Sequence, residues 1–360
     1  MDENPDTAPV LIPDGSTDPG PPDGWVASAP GAGDVDALAD LLRRHETRVR
    51  GGSSASAESV GADVVGWGAA TRRHRLVRDE QGAARGWASV HDRAAGRVLG
   101  AVVVDPDLSG ERADRLAASL LAWTCRQAVA IGAARGLAST QLDMGAFEQD
   151  ERQERWLAAA SLELVRSWWQ MSRPVTAAEG RPGVFAPPRE GVVVRRVARA
   201  GDGMPDEGDL RAVHEVLEAA FADHFNNYAE TFDEFCSRLR ADPGHRWNHW
   251  WLAEIVDEGR VLPSGALVGE VSPGSDGGPD GSYVSYLGVV SSARGRGIAR
   301  SLLHTVIADA AARGRNRVGL EVDADSPTGA DGLYRSEGFV PAYTTQSWHL
   351  DLPVEVHKVP

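Results

Sequence analysis

Lysine is nearly missing from this chain. Of 37 lysine and arginine residues, Lys358 is the only lysine. A phosphate-binding P-loop needs a lysine directly after a glycine of the loop, so that motif is excluded. The arginine bias fits a GC-rich genome, such as an actinobacterium's. Cysteine is scarce too: Cys125 and Cys236 lie in different halves, and neither sits in a C-x-x-C pair. A disulfide framework or a thiolate zinc site needs more, so both are read as buried small hydrophobes. No His-Glu-x-x-His occurs, and Asp323-x-Asp325 lacks the remaining ligands of a calcium loop, so no metal is expected. No apolar run approaches the roughly 20 residues of a membrane span. The acidic N-terminus lacks the basic and apolar regions of a signal peptide, so the expected location is cytoplasmic and no membrane partner is expected. Net positive charge is also absent. At −15 the chain is a poor match for nucleic acid, and an acidic cleft suits a cationic small molecule.

What is present divides the chain in two. A length of 360 residues with 42% hydrophobic content can fill two cores. Residues 1–24, rich in Pro, Asp and Gly, read as a disordered tail. Periodicity predicts helices over Val35–Arg50, Ala113–Ala134 and Trp156–Glu163. Strands are predicted over Arg73–Asp79, Gly86–His91, Val98–Val104, Leu137–Leu142 and Leu164–Met171. Residues 174–191, rich in Pro, Gly and Ala, read as an inter-domain linker. The second half repeats the order of elements: helix, strands, a Val-rich strand, a long helix, a strand, a short helix and a strand. Thr231 with Glu234 forms a capping-box pattern at the head of one helix. Two copies of one α/β domain are therefore expected, over 25–173 and 192–352, with 353–360 as a tail.

One segment carries chemistry. A strand ending at Val290 leads into Arg294-Gly295-Arg296-Gly297-Ile298-Ala299, and a helix with apolar Leu302, Leu303, Val306 and Ile307 follows. The first amides of a helix have no helical partner, and its dipole favours an anion there. Glycine allows close approach, so the turn suits a pyrophosphate, with Arg294, Arg296 and Arg300 adding charge. The same pattern also serves as a plain glycine cap. A dinucleotide fingerprint needs a third glycine where Arg300 stands.

The segment Tyr286-Leu287-Gly288-Val289 followed by Arg294-x-x-Gly297-x-Ala299 resembles the acetyl-CoA motif of the GCN5-related N-acetyltransferase (GNAT) family. Asp323-Ala-Asp325-Ser326-Pro327, then Leu333-Tyr334 and Glu337-Gly338-Phe339, resembles that family's second signature. The duplicated layout is similar to tandem members of the mycothiol-synthase-like type. The resemblance implies two tandem GNAT-like domains, each a mixed, mainly antiparallel central sheet flanked by helices. It implies acetyl-CoA as co-substrate, with backbone groups of Leu287 and Val289 along the pantetheine arm, Gly288 between them at the same site, and the turn from Arg294 to Arg300 around the pyrophosphate. Tyr334 would protonate the departing thiolate. Two residues depart from the pattern: Ser326 stands where an asparagine usually helps hold the CoA arm, and Tyr283 stands where mycothiol-synthase-like members carry a glutamate base.

The expected activity is acetyl transfer to a primary amine of a small acceptor, by a monomer or homodimer; a non-catalytic acyl-CoA-binding module is the alternative. An ammonium must lose a proton before attack. Candidate bases are Glu270 and Glu321, with Glu254, Asp323 and His224 behind them. His224, Phe225 and Tyr228, with Tyr283, are candidates for contacting the acceptor, and Trp247–Trp251 is a second aromatic cluster that suits cations or rings. In the N-terminal copy the corresponding turn holds Asp105, Asp107 and Glu111, which would repel a pyrophosphate, and Glu163-Leu164 stands where Gly-Phe is expected. That copy is expected not to bind CoA in the usual way.

Overall fold

The computed structural model describes residues 18–93, 96–201, 204–222, 230–241, 245–274, 278–325 and 329–354. The chain forms two compact units, one of residues 1–168 with 343–360 and one of 169–342.

In the first unit, strands β1 (Val26–Ser28), β2 (Arg72–Arg78), β3 (Ala84–Asp92), β4 (Arg97–Val104) and β5 (Ser139–Phe147) lie in chain order across one sheet. Helices α1 (Val35–Arg50), α2 (Ala57–Val64), α3 (Gly110–Ala134) and α4 (Glu151–Ala159) accompany it. All neighbours run antiparallel except β4 and β5, which are parallel. Strand β6 (Glu163–Pro174) follows.

The second unit repeats this plan with β7 (Val192–Arg196), β8 (His245–Asp257), β9 (Arg260–Ser272), β10 (Gly281–Val289) and β11 (Arg317–Asp323). Its helices are α5 (Glu207–Phe221), α6 (Phe232–Ala241), α7 (Ile298–Ala312) and α8 (Ala330–Ser336). Again one pair is parallel, β10 with β11. Each unit is thus a mixed, mainly antiparallel sheet flanked by helices, as the resemblance implies.

The closing strands are exchanged. The second half of β6, from Trp169, belongs to the second unit and neighbours β11, where Gln170 bonds Glu321 and the amide of Val175 bonds Asn316 at 2.8 Å. Strand β12 (Val340–Pro353) pairs antiparallel with β5 from Thr345 to Pro353, within the first unit. The sequential division expected at 173 and 192 therefore differs from the compact units. Alternation of apolar residues sets which face of a strand is buried, and it leaves the neighbour open.

Residues 174–191 are a packed strap rather than a free linker. A Cβ on Gly180 would stand 3.1 Å from the amide nitrogen of Ala312, and Phe185 stacks on His304 at 4.5 Å. Helix α4 starts before the expected Trp156 because Asp150 caps it, accepting from the Gln153 amide. Helix α2 is capped by Ser56, whose side chain accepts from the Ser59 amide. Helix α3 is long and apolar enough to cross a membrane, and it is the one such helix among the described residues. Leu116, Leu120, Trp123 and Ile131 of α3 fill the first unit's core.

The second unit's sheet is covered on both faces. On one, Ile298, Leu302, Val306 and Ile307 of α7 pack on Trp251, Leu267, Val284 and Leu320. On the other, Val213 and Leu217 of α5 and Phe235 of α6 pack on Trp250, Leu252, Ala266 and Val268. Each Val, Leu, Ile or Phe among them contributes roughly 1.5–3 kcal/mol when fully buried. The Trp247–Trp251 cluster is spent here, since Trp250 and Trp251 enter opposite cores and Trp247 packs on Trp250. Two glycines set the helix heights. A Cβ on Gly265 would lie 2.6 Å from Ile298 Cγ2, and one on Gly288 would lie 2.9 Å from Ala220 Cβ.

Candidate active site

The site of the second unit starts where β10 leaves β11. Their parallel ladder covers only Ser282–Val284, against Val318–Leu320. A register shift follows between Val284 and Tyr286, and β10 then continues against β9 alone. The amide of Val290 bonds the Ser264 carbonyl of β9 at 3.0 Å. Backbone groups alternate along a strand, so Gly288 and Tyr286 also face β9, and Leu287 and Val289 turn their N–H and C=O toward the opened edge. Gly288, between them, makes room for α5.

Beyond Val290 a short turn, Ser291–Ala293, leads to Arg294 in extended conformation. Gly295 and Gly297 both take left-handed φ, 79° and 78°, which an L-side chain adopts only at a cost. Gly297 is the N-cap of α7 and provides no side-chain cap. Among the described residues, the amides from Gly295 to Arg300 have no acceptor; the first helical bond runs from Ser301 to Gly297 at 3.0 Å. Ile298 is buried beneath the turn, while Arg294 and Arg296 are exposed. Arg300 is drawn aside: its Nε bonds Glu337 at 2.6 Å and its Nη2 bonds Ser336 at 3.2 Å. Sequence reasoning missed Arg189. Its Nη1 donates to the Gly295 carbonyl at 2.9 Å, and a Cβ on Gly297 would stand 3.3 Å from its Nε.

Tyr334 on α8 is buried in the α7-side core, edge-on to Phe339 at 6.0 Å. Burial pushes its phenol up to about 12, so it stays protonated through the neutral range. Its hydroxyl has no hydrogen-bond partner among the described residues.

The candidate acids lie across the sheet from α7. Val318, Leu320 and Val322 point into the α7 core, so Glu321 faces the other way. Glu270 is in step with Ala266 and Val268, which face α5, and is opposite Tyr283 in the ladder. Ser285 donates to Glu270 at 2.6 Å. Tyr283 donates to Gln170 Oε1 at 3.1 Å, and the Gln170 amide bonds Glu321. Gln170 and Ser285 were not legible as members of this group, because neither carries a charge or a motif. Glu254 is committed to Arg195, which also bridges to Asp209, and Asp323 accepts the Asp325 amide. His224, Phe225, Tyr228 and Ser326 lie outside the described residues.

The first unit offers a comparison. Strands β4 and β5 also part, after Gly100. There the buried Gln153 of α4 donates its amide to the Val102 carbonyl at 3.3 Å. At the end of β4, Asp105 is fully buried and binds Arg44 at 2.5 Å and Arg85 at 2.7 Å. Burial pushes its carboxyl up, yet the bonds from Arg44, Arg85 and the Asp107 amide outweigh this and hold it below its ordinary value. A lowered pKa means the charged form stabilises the fold above the unfolded carboxylate range, and this is lost as pH falls through the folded value. Replacing Asp105 by Ala leaves Arg85 on Asp79 and Arg44 on Asp40, so the loss expected is that of the charge-assisted hydrogen bonds alone, about 1.5–3 kcal/mol, read by urea denaturation.

The helix ends match as well. The amide of Leu162 bonds Leu157 and that of Phe339 bonds Tyr334, both at 3.0 Å, and Ser161 and Gly338 both have positive φ. Leu157 thus corresponds to Tyr334, and Ser161-Leu162, rather than Glu163-Leu164, corresponds to Gly338-Phe339.

Among the described residues no cluster of potential metal ligands occurs. The model of the acetyltransferase (GNAT) family matches residues 210–339. The chain is similar to the crystal structure of a GCN5-related N-acetyltransferase from Sphaerobacter thermophilus: 26% identical, TM-score 0.67, covering 93% of this chain and 98% of that one. It shares its fold with a tandem GNAT protein from the clavulanic acid biosynthesis pathway, 14% identical, TM-score 0.63, covering 91% of this chain and 98% of that one. No curated protein matches by sequence.

Proposed function

We propose, from the premise that this chain carries a GNAT-family acetyltransferase domain over residues 210–339, that its second unit transfers an acetyl group from acetyl-CoA to a primary amine of a small acceptor. The observation that carries this reading is the run of acceptor-free amides from Gly295 to Arg300 at the head of α7, beside the parted strands. The diphosphate would lie on those amides with Arg294 and Arg296 around it. The pantetheine arm would follow Leu287 and Val289 as an added strand.

The neutral amine attacks the thioester carbonyl. A C–N bond forms, the C–S bond breaks, and the departing thiolate takes the proton of Tyr334. A phenol held near 12 is still protonated when a thiolate of ordinary pKa near 8.5 needs it. The ammonium's proton leaves before attack, through Glu270 or Glu321, which share the face opposite α7 with Tyr283; after attack the nitrogen gives up its second proton to solvent, and Tyr334 takes one back from solvent. In the first unit Gln153, Asp105 and Leu157 stand where the arm, the diphosphate and the phenol would be, so one CoA per chain is expected.

A thiol-release assay with acetyl-CoA and a panel of primary amines tests the function. Release that depends on one class of amine supports it. No release with any amine, together with tight CoA binding, would identify a non-catalytic acyl-CoA module instead.

A further inference from the structure

The strap from 177 to 191 runs the length of α7 against the helix direction. Gly180 sits at Ala311 and Ala312, Phe185 stacks on His304, and Arg189 reaches Gly295 and Gly297. Helix α7 has 15 residues, roughly 22 Å at 1.5 Å per residue. Its midpoint is pinned: His304 Nε2 lies 2.7 Å from Glu337, and Glu337 also holds Arg300. Glu337 thereby neutralises the one loop arginine that belongs to the helix itself. The strap returns a cation to the same turn from outside it. Arg189 uses one guanidinium N–H on the Gly295 carbonyl, and the others have no acceptor among the described residues. A guanidinium carries five donors in one plane, suited to two oxygens of a phosphate.

We infer that Arg189 is a diphosphate-binding residue of the acyl-CoA site, delivered by the strap to replace the charge that Glu337 removes at Arg300. This rests on the acyl-CoA reading above. Arg189 binds the co-substrate far from the reacting carbonyl, so it acts on affinity and leaves the chemical step alone.

The test uses the full chain, calorimetry with CoA, and steady-state kinetics with acetyl-CoA and with S-acetylpantetheine, which has no diphosphate. For R189A the CoA Kd and the acetyl-CoA KM are expected to rise about 10-fold, the scale of one charge-assisted hydrogen bond at an open site, with kcat unchanged. R189K should recover part of the loss. R181A, an equal charge change on the same exposed strap, should match the wild type. The gap should narrow in about 0.5 M salt, which screens exposed charges. The KM for S-acetylpantetheine should be the same in all variants. A CoA Kd for R189A within twofold of wild type overturns the assignment while leaving the acyl-CoA reading intact. An equal loss with S-acetylpantetheine also overturns it, because the strap would then be supporting the fold. A wild-type chain that binds no CoA removes the acyl-CoA reading and the assignment together.

Discussion

Replacing Tyr334 by Phe is expected to lower kcat about 100- to 1,000-fold while the acetyl-CoA KM stays within about threefold, the range for losing a positioned proton donor. The substitution removes one oxygen. The ring keeps its edge-on contact with Phe339 and its place among Ile298, Leu302 and Val322, so stability should change by less than about 1.5 kcal/mol. The hydroxyl has no protein partner among the described residues, and burial holds the phenol near 12. A proton on such a group is available at every pH where a thiolate needs one, and it costs the fold little to lose. The rate of the wild type should therefore show no downturn assignable to Tyr334 below about pH 11. Stopped-time thiol release across pH, with both proteins, checks both statements. A drop in kcat under fivefold would place the proton donor elsewhere.

Gly297→Asp should raise the CoA Kd about 100-fold or more. Two effects add. Gly297 has φ 78°, where a side chain costs roughly 1–2 kcal/mol, so the melting temperature should fall by a few degrees. The larger effect is at the helix head: an aspartate at the N-cap accepts from the amides of the first turn, which are the groups offered to the diphosphate, and it sets a negative charge beside them. Gly295 is a useful companion. A Cβ there meets nothing within 4 Å, though its φ of 79° is equally left-handed, so Gly295→Ala should cost stability with a much smaller loss of affinity. Calorimetry and thermal melts on the two variants separate anion repulsion from backbone strain. Equal losses of affinity would mean that strain alone is at work.

Several elements were legible because their signals are local. Helix α1 spans Val35–Arg50 as its periodicity predicts. Thr231 and Glu234 bond each other's amides, 3.2 and 3.0 Å, as the capping box requires. The phosphate turn was legible for the same reason, since glycine spacing and the start of an apolar helix are adjacent in sequence. Other features depend on partners far along the chain. The exchange of β6 and β12 leaves no trace in alternation. Arg189 meets Gly295 across 106 residues, and its segment has the composition of a linker. The network of Tyr283, Gln170 and Glu321 joins three strands. Arg300 lies within the turn's sequence pattern, but its partner Glu337 stands 37 residues away.

The most direct measurement is a crystal structure of the full chain with CoA. The account predicts diphosphate oxygens about 2.7–3.2 Å from amides between Gly295 and Arg300, the arm beside Leu287 and Val289, and the sulfur near the Tyr334 hydroxyl. A diphosphate bound away from this turn, or seated in the first unit between Val102 and Gln153, would contradict it.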